Sequence, residues 1–248
     1  MAEWNDPRTT GVNTATVGVP RAARDAGLRS YMLSVYNYMA SGVLLTGIVA
    51  LLFANSSLVQ LVINPATGQA APLLWVTVFA PLGLVLWMSF GISRMSARTA
   101  QLIFWLYAGL IGVQFSTLFL AFTAGSVAQA FFAAAAAFLG MSLYGYTTKR
   151  DLSPFRTFML MGVVGIFIAL LISAFVQSTT FDLAISAIGV LLFAGITAYH
   201  TQQIKSTYFE VAGNGEAMAK SAVFGALRLY IAFINMFLFL LRLMGDRR

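Results

Sequence analysis

The polar residues of the last long apolar stretch, Ala222–Leu243, are the first candidates for chemistry. Three of them, Arg228, Asn235 and Arg242, belong to a series with steps of four, three, four and three residues: Arg228, Ala232, Asn235, Phe239 and Arg242. A helix places residues with this spacing on one face. Charged groups on that face are costly against lipid, so we expect it to contact protein or water. The face either lines a polar path through a helix bundle, or its two Arg reach opposite interfaces while the Asn bonds a neighbouring helix.

His200 is the second candidate, because it is the only histidine of the chain. An imidazole titrates near neutral pH, so His200 is either a pH switch or an interfacial histidine satisfied by backbone or water. One histidine without cysteine does not supply the ligand clusters of a zinc site. We therefore predict no metal site and no cofactor. No phosphate-binding loop, nucleophile elbow or HExxH motif occurs, so we do not expect an enzyme.

We expect no carboxylate near the middle of any apolar stretch. The acidic residues are Glu3, Asp6, Asp25, Asp151, Asp182, Glu210, Glu216 and Asp246. Intramembrane acids usually carry proton relays, and calcium prefers carboxylate and carbonyl oxygens. Their absence argues against an acid-based pump or a tight cation site within the membrane.

The composition indicates which elements must position these residues. Of the 248 residues, 59% are hydrophobic and only 9% are charged, and the mean hydropathy is +0.82. A soluble protein has about 25% charged residues, so this chain cannot cover a water-facing surface of its size. We predict an integral membrane protein in a lipid bilayer. The net charge of +7 is assigned to headgroup contacts and orientation rather than to nucleic-acid binding.

Seven apolar runs are long enough to cross a bilayer as helices, which takes roughly 20 residues each. The predicted spans are Tyr31–Ala54, Pro72–Gly91, Thr99–Phe122, Ser126–Tyr146, Phe155–Val176, Phe181–His200 and Ala222–Leu243. Most connections are short, with the longer ones predicted at Asn55–Ala71 and Thr201–Lys220. Continuous apolar runs favour an all-α polytopic protein over a barrel, whose strands would alternate. The predicted organisation is a flexible cytoplasmic tail over residues 1–30 and a transmembrane domain over residues 31–248.

The basic residues predict the orientation. Every Lys and Arg up to Lys220 lies in the tail or in alternate connections, and the connections between those contain none. Because basic residues favour the cytoplasmic side, we predict a cytoplasmic amino terminus. The side of the carboxyl terminus depends on whether Ala222–Leu243 crosses fully, and full crossing is favoured by its length.

Four motifs resemble those of the Bax inhibitor-1 family, also called the transmembrane Bax inhibitor motif family. They are Tyr144-Gly145-Tyr146-Thr147-Thr148-Lys149-Arg150-Asp151-Leu152, Ser89-Phe90-Gly91-Ile92-Ser93-Arg94-Met95-Ser96, Thr197-Ala198-Tyr199-His200-Thr201-Gln202, and Leu229-Tyr230-Ile231-Ala232-Phe233-Ile234-Asn235 followed by Leu240-Leu241-Arg242-Leu243. They occur in the family's order between Tyr31 and Met244, and the chain looks most like the bacterial branch.

The resemblance implies two three-helix layers around a central seventh helix, in the inner membrane of a bacterial cell. It also implies a pH-sensitive calcium leak. For some bacterial relatives it implies modulation of a membrane-bound, ATP-dependent protease. Calcium ions and such a protease are therefore the partners to test.

Two departures from the family pattern concern the pH sensor. Members with the sensor have an aspartate pair that links helices six and seven, whereas this chain has His200 and Ala232 at those positions. The acid that pairs with the helix-seven Arg in some members would fall among Leu82, Gly83 and Leu84, so Arg242 lacks it. Two carboxylates that share a proton switch by coupled titration, but one imidazole opposite a methyl group cannot.

Protonation of His200 would add positive charge near Arg94 or Arg228 and would repel calcium. We therefore predict a weak or absent proton-gated calcium leak. The site candidates are His200, Ala232, Arg94, Arg228, Asn235 and Arg242. The two readings that remain are a leak or transport protein with an altered sensor and a non-conducting modulator of another membrane protein.

Overall fold

The computed structural model describes residues 21–63, 69–91 and 94–246, which are helical with one isolated bridge between Ile63 and Ala70. The α-helices are α1 (Arg21–Ala54), α2 (Pro72–Gly91), α3 (Ala97–Phe115), α4 (Leu118–Ala121), α5 (Ala124–Thr147), α6 (Phe155–Val176), α7 (Thr179–Val211) and α8 (Gly215–Met244), with a 3-10 helix at Ser57–Leu61. Within these residues, seven helices are long and apolar enough to cross a membrane, all except the single-turn α4. The prediction of an all-α polytopic fold is confirmed.

The last helix, α8, forms the centre of the bundle. In its most apolar segment 72% of the residues are buried inside the protein, compared with 6% in α6 and 17% in α2. It packs against α1, α3, α5 and α7, while α2 packs on α3 and α6 packs on α7. The first three spans and the next three therefore form two similar layers, each with its third helix in contact with the other two. The predicted central position of helix seven is confirmed.

The connection predicted at Thr201–Lys220 is wrong over most of its length. Helix α7 continues to Val211, and α8 begins at Gly215 after a turn of three residues. Polar side chains in the extra turns bond neighbouring elements: Gln202 binds the α5–α6 connection and Lys205 binds the end of α5. These tertiary hydrogen bonds support a helix where hydropathy alone indicates a loop.

The first helix also begins earlier than predicted, at Arg21 rather than at Tyr31. Leu28 is buried in the core, and the backbone of Gly27 lies against the Tyr208 hydroxyl of α7. The extra turns are therefore held by the extension of α7. The remainder of the predicted tail, residues 1–20, lies outside the described residues, as do Ile92, Ser93, Arg247 and Arg248.

Three acidic residues that were predicted outside the spans lie in helices: Asp25 near the start of α1, Glu210 in the last turn of α7 and Glu216 in the first turn of α8. Asp182, at the start of a predicted span, is in the first turn of α7. Side chains near helix ends can reach polar partners: Asp182 accepts a hydrogen bond from Ser173 of α6, and Glu216 binds the start of α3. The middle turns of the described spans still contain no carboxylate.

Candidate functional site at the α7–α8 interface

Helices α7 and α8 are antiparallel and joined by a short turn. Their contacts show which residues of α8 face α7. Phe239 packs on Gly189, where an added Cβ would come within 2.7 Å of the ring. Further towards the turn, the guanidinium Nη1 of Arg228 donates to Gln203 Oε1 at 3.0 Å. Between these two contacts, Ala232 lies in a cluster with Phe193 and Ile196 of α7. The predicted face of α8 therefore turns towards α7.

The polar ends of this face do not form a continuous path. Arg228 and Arg242 are exposed, and they lie 14 residues apart along α8, roughly 21 Å at 1.5 Å per residue. Half-buried Asn235 donates from Nδ2 to the carbonyl of Ile231, one turn back in its own helix, at 2.8 Å. This arrangement agrees with Arg side chains that extend towards opposite interfaces, except that Asn235 bonds its own helix rather than a neighbour.

The middle of the face is closed by apolar packing. Ala232 is only 1% exposed. The other buried residues of its cluster are Ile166, Ile185, Leu192, Phe193, Ile196, Met236 and Phe239. The rings of Phe193 and Phe239 stack with centroids 5.9 Å apart. The α7–α8 interface is therefore apolar around Ala232.

His200 lies on α7 at the boundary between this dry region and the polar end. It is half-buried, and its Nδ1 is buried without a hydrogen-bond partner among the described residues. Its ring is 5.4 Å from that of Tyr199, and Arg228 bonds Gln203, which is three residues after His200 on α7. The structure thus brings His200 and Arg228 together. Within the described residues, no group of three His, Cys, Asp or Glu side chains could hold a metal ion.

Arg94 is not part of this site. It is exposed in the connection between α2 and α3, where its backbone amide donates to Gly91 at 2.9 Å. Because α2 packs on α3 rather than on α7, the helix that carries His200, Arg94 is not brought to His200 by the described helices, whereas Arg228 bonds Gln203 of α7. Of the two basic residues, Arg228 is the one that lies against the part of α7 that carries His200, and the effect of His200 protonation on calcium stays a prediction.

Several polar residues of the basic end were not identified from the sequence. A hydroxyl chain joins three helices: Tyr36 of α1 is 2.6 Å from Ser142 of α5, which is 3.1 Å from Thr201 of α7. Glu216 of α8 accepts a hydrogen bond from the Ala97 amide at 2.7 Å, at the start of α3. A carboxylate there is favourable because unpaired N–H groups gather at a helix N-terminus. Hydroxyl and amide side chains have no distinctive spacing, so only tertiary contacts identify these residues.

The turn motif after α5 is attached to α7 by two residues. Gln202 accepts from the Leu152 amide at 2.9 Å and donates to the Arg150 carbonyl at 2.8 Å. Lys205 donates to the Tyr146 carbonyl at 2.8 Å, with its Nζ 4.9 Å from the centroid of the Tyr146 ring. These contacts explain the motif as a connector between α5 and α7.

Gly145 lets α5 approach α7 closely within this motif. A Cβ at this position would overlap the carbonyl oxygen and Cα of Ala198. Backbone atoms cannot rotate away as a side chain can, so the position tolerates only glycine in this packing. The motif thus positions α7 at the turn that includes His200.

Asp151, in the exposed connection that follows, has a local role. Its carboxylate accepts a hydrogen bond from the Ser153 amide at 2.9 Å. Hydrogen bonds from the backbone and side chain of Ser153 lower the pKa of Asp151 from its usual value of 3.8. The ionised carboxylate therefore stabilises the turn that leads into α6.

Known proteins resemble this chain over nearly its whole length. The profile of the family described as "Inhibitor of apoptosis-promoting Bax1" matches residues 28–248. An uncharacterized protein of Rickettsia prowazekii, RP147, is 44% identical over 225 residues, which cover 90% of this chain and 92% of the relative. An uncharacterized protein of Caulobacter vibrioides is 44% identical over 230 residues, with 90% and 91% covered.

A third relative carries information on location. The inner membrane protein YbhL of Escherichia coli is 41% identical over 224 residues, which cover 90% of this chain and 94% of YbhL. The matched region includes all seven spans, the turn motif and the α7–α8 interface. The chain therefore belongs to the Bax inhibitor-1 family of membrane proteins.

Proposed function

We propose that this chain is a leak protein of the Bax inhibitor-1 family in which proton-gated calcium conduction is weak. The observation that supports it is the apolar environment of Ala232, at the position where the resemblance implies one aspartate of the pH sensor. The other position of the pair is His200, whose charged neighbour is Arg228. Calcium has no carboxylate to bind here, and protonation of His200 would add a second positive charge that repels it.

The proposal predicts that the leak can be strengthened by restoring the two acids. In proteoliposomes, the His200→Asp/Ala232→Asp variant should conduct calcium faster than the wild type and should acquire a pH dependence between about pH 6 and about pH 8. His200→Asn/Ala232→Asn is the matched control, because it has similar side-chain volumes without titratable groups. His200→Ala tests the remaining switch: any pH response of the wild type should disappear in this variant.

Two results would contradict the proposal. One is a strong, pH-gated calcium flux in the wild type, and the other is equal flux in the Asp and Asn double variants. Monodisperse elution of each variant in detergent is needed to show that a low flux reflects conduction rather than misfolding.

A second function is supported by the same lack of carboxylates. A chain that conducts nothing could act as a modulator of a membrane-bound, ATP-dependent protease. We therefore propose to co-reconstitute such a protease with this chain and to follow degradation of a membrane substrate. Slower degradation with the wild type, in vesicles that show no calcium flux, would favour this function over the leak. An unchanged degradation rate would remove it.

A further inference from the structure

A cavity of about 320 Å³ opens between α1, α7 and α8 at the end of the bundle that carries the basic connections. Gln203, Thr207 and Val211 form the α7 wall, at steps of one helical turn. The α8 wall includes Lys220 and Arg228. This volume is at the lower end of the range for small-molecule sites, about 300–1,000 Å³.

Neither Lys220 nor Arg228 forms an ion pair with a carboxylate among the described residues. Arg228 donates one hydrogen bond to the neutral amide of Gln203, which leaves its other donors free. None of the described acidic residues lines the cavity. Glu216, one turn before Lys220, is directed to the start of α3, where it binds the Ala97 amide. The charges of Lys220 and Arg228 are therefore not neutralised within the described part of the chain.

Hydroxyl groups complete the polar lining. Tyr31 of α1 and Ser221 of α8 share a hydrogen bond of 2.7 Å at the wall. A guanidinium, an ammonium and a hydroxyl are the groups that proteins use to bind phosphate oxygens. The lining is thus suited to an anion with several acceptor oxygens and unsuited to a cation.

The lengths of the helices place the cavity at the level of the lipid headgroups. With 33 residues, α7 is roughly 50 Å long, compared with a hydrocarbon core of about 30 Å. It starts at Thr179, close after the end of the 22-residue α6, so its excess length lies at the α7–α8 turn. Residues from Gln203 onwards are therefore beyond the hydrocarbon. Basic pockets between helices at this depth bind phosphate-bearing headgroups in other membrane proteins.

We propose that the cavity between α1, α7 and α8 binds a phosphate group through Lys220 and Arg228, either from an anionic phospholipid or from a free phosphate. The two sources share the same chemistry. A phospholipid would enter from the side of the bundle, whereas a free phosphate would enter from the aqueous end.

Binding is measured on the purified full chain with two probes. Native mass spectrometry and thermal unfolding in detergent test phosphatidylglycerol against phosphatidylcholine, and inorganic phosphate is titrated in lipid-free detergent. Saturable, stabilising binding of either phosphate-bearing anion is expected, and the probe that binds identifies the source. Absence of saturable binding for both phosphatidylglycerol and inorganic phosphate would overturn the proposal.

Charge variants locate the site. Lys220→Gln/Arg228→Gln should weaken the binding at least about tenfold, since two charge-assisted hydrogen-bond donors are lost. Lys149→Gln/Arg150→Gln removes the same charge from exposed positions at the same end of the bundle, outside the cavity, and should change the affinity less than about twofold. Equal weakening in both variants would mean general surface attraction and would overturn the proposal.

A further variant keeps Lys220 and Arg228, so it still tests the site if Lys220→Gln/Arg228→Gln does not fold. Ala217→Leu fills the cavity from its α8 wall while Lys220 and Arg228 remain. The proposal expects this variant to lose binding too, and unchanged binding in a folded Ala217→Leu protein would overturn it. None of these measurements uses ion flux, so the result is independent of whether the chain conducts calcium.

Discussion

The two halves of the α7–α8 interface differ in how they are held together. Near the turn that joins the helices, side chains such as Gln203 and Arg228 bond each other beside a basic cavity. Around Ala232 and Phe239 the same two helices pack through a cluster of apolar side chains. The difference indicates that the interface is polar where headgroups and water are near, and dry where lipid surrounds the bundle.

This comparison changes the interpretation of the polar face of α8. Periodicity shows that Arg228, Asn235 and Arg242 share a face, but it does not show which of them has a polar neighbour. The structure places Ala232 between Arg228 and Asn235 and buries it in an apolar cluster. A continuous polar path would require this cluster to open.

The largest expected effect is at Gly145, where α5 touches α7 at the polar half. Gly145→Ala forces the helices apart because the added Cβ meets the backbone of Ala198. We expect a loss of about 3 kcal/mol or more in the free energy of unfolding, measured by thermal or denaturant unfolding in detergent. Gly140→Ala on the same helix meets no atom within 4 Å and should be neutral or stabilising. Equal stability of the two variants would contradict the close approach of α5 to α7 at Gly145.

An effect of comparable size tests how apolar the other half of the interface is. Ala232→Asp buries an unpaired carboxylate in the apolar cluster and should cost about 3–5 kcal/mol at neutral pH, with a smaller cost at acidic pH, where the carboxyl is neutral. Ala217→Asp is the matched variant at the basic cavity, near the N-terminus of α8, and should cost little because cations and the helix dipole favour it. Similar costs for both would mean that the two halves are equally polar.

A smaller effect is expected from the hydroxyl chain of the polar half. Tyr36→Phe removes the hydrogen bond to Ser142 and should destabilise the protein by about 1 kcal/mol. A double-mutant cycle with Thr201→Val measures the coupling across α1, α5 and α7. Tyr144→Phe, at an exposed position on α5, is the control. Additive effects of Tyr36→Phe and Thr201→Val would indicate that the chain does not couple the helices.

The smallest effect concerns the exposed turn after α5. Because hydrogen bonds lower the pKa of Asp151 in the folded protein, its contribution to stability is present above pH 3.8 and is lost as the pH falls through the lower folded value. Asp151→Asn should therefore lower the melting temperature slightly at neutral pH, and the difference from the wild type should shrink in acid. A difference that is independent of pH would exclude this role.

Hydropathy and charge spacing predicted the seven spans and the shared face of α8, because lipid contact and helical period are properties of single segments. The extension of α7 was missed because Gln202 and Lys205 look like loop residues until their partners in the α5–α6 connection and α5 are known. The basic cavity was missed for the same reason: Lys220 and Arg228 come together with Tyr31 only through the packing of three helices.

The central position of α8 also has a consequence for biosynthesis. This helix follows in the chain every helix that it contacts, so a ribosome delivers α1, α3, α5 and α7 to the membrane before their common partner. Until α8 arrives, the buried faces of these helices meet lipid, or each other in non-native arrangements. Nascent chains that stop before Gly215 should consequently need an insertase or chaperone for protection, and that need should end once α8 has emerged.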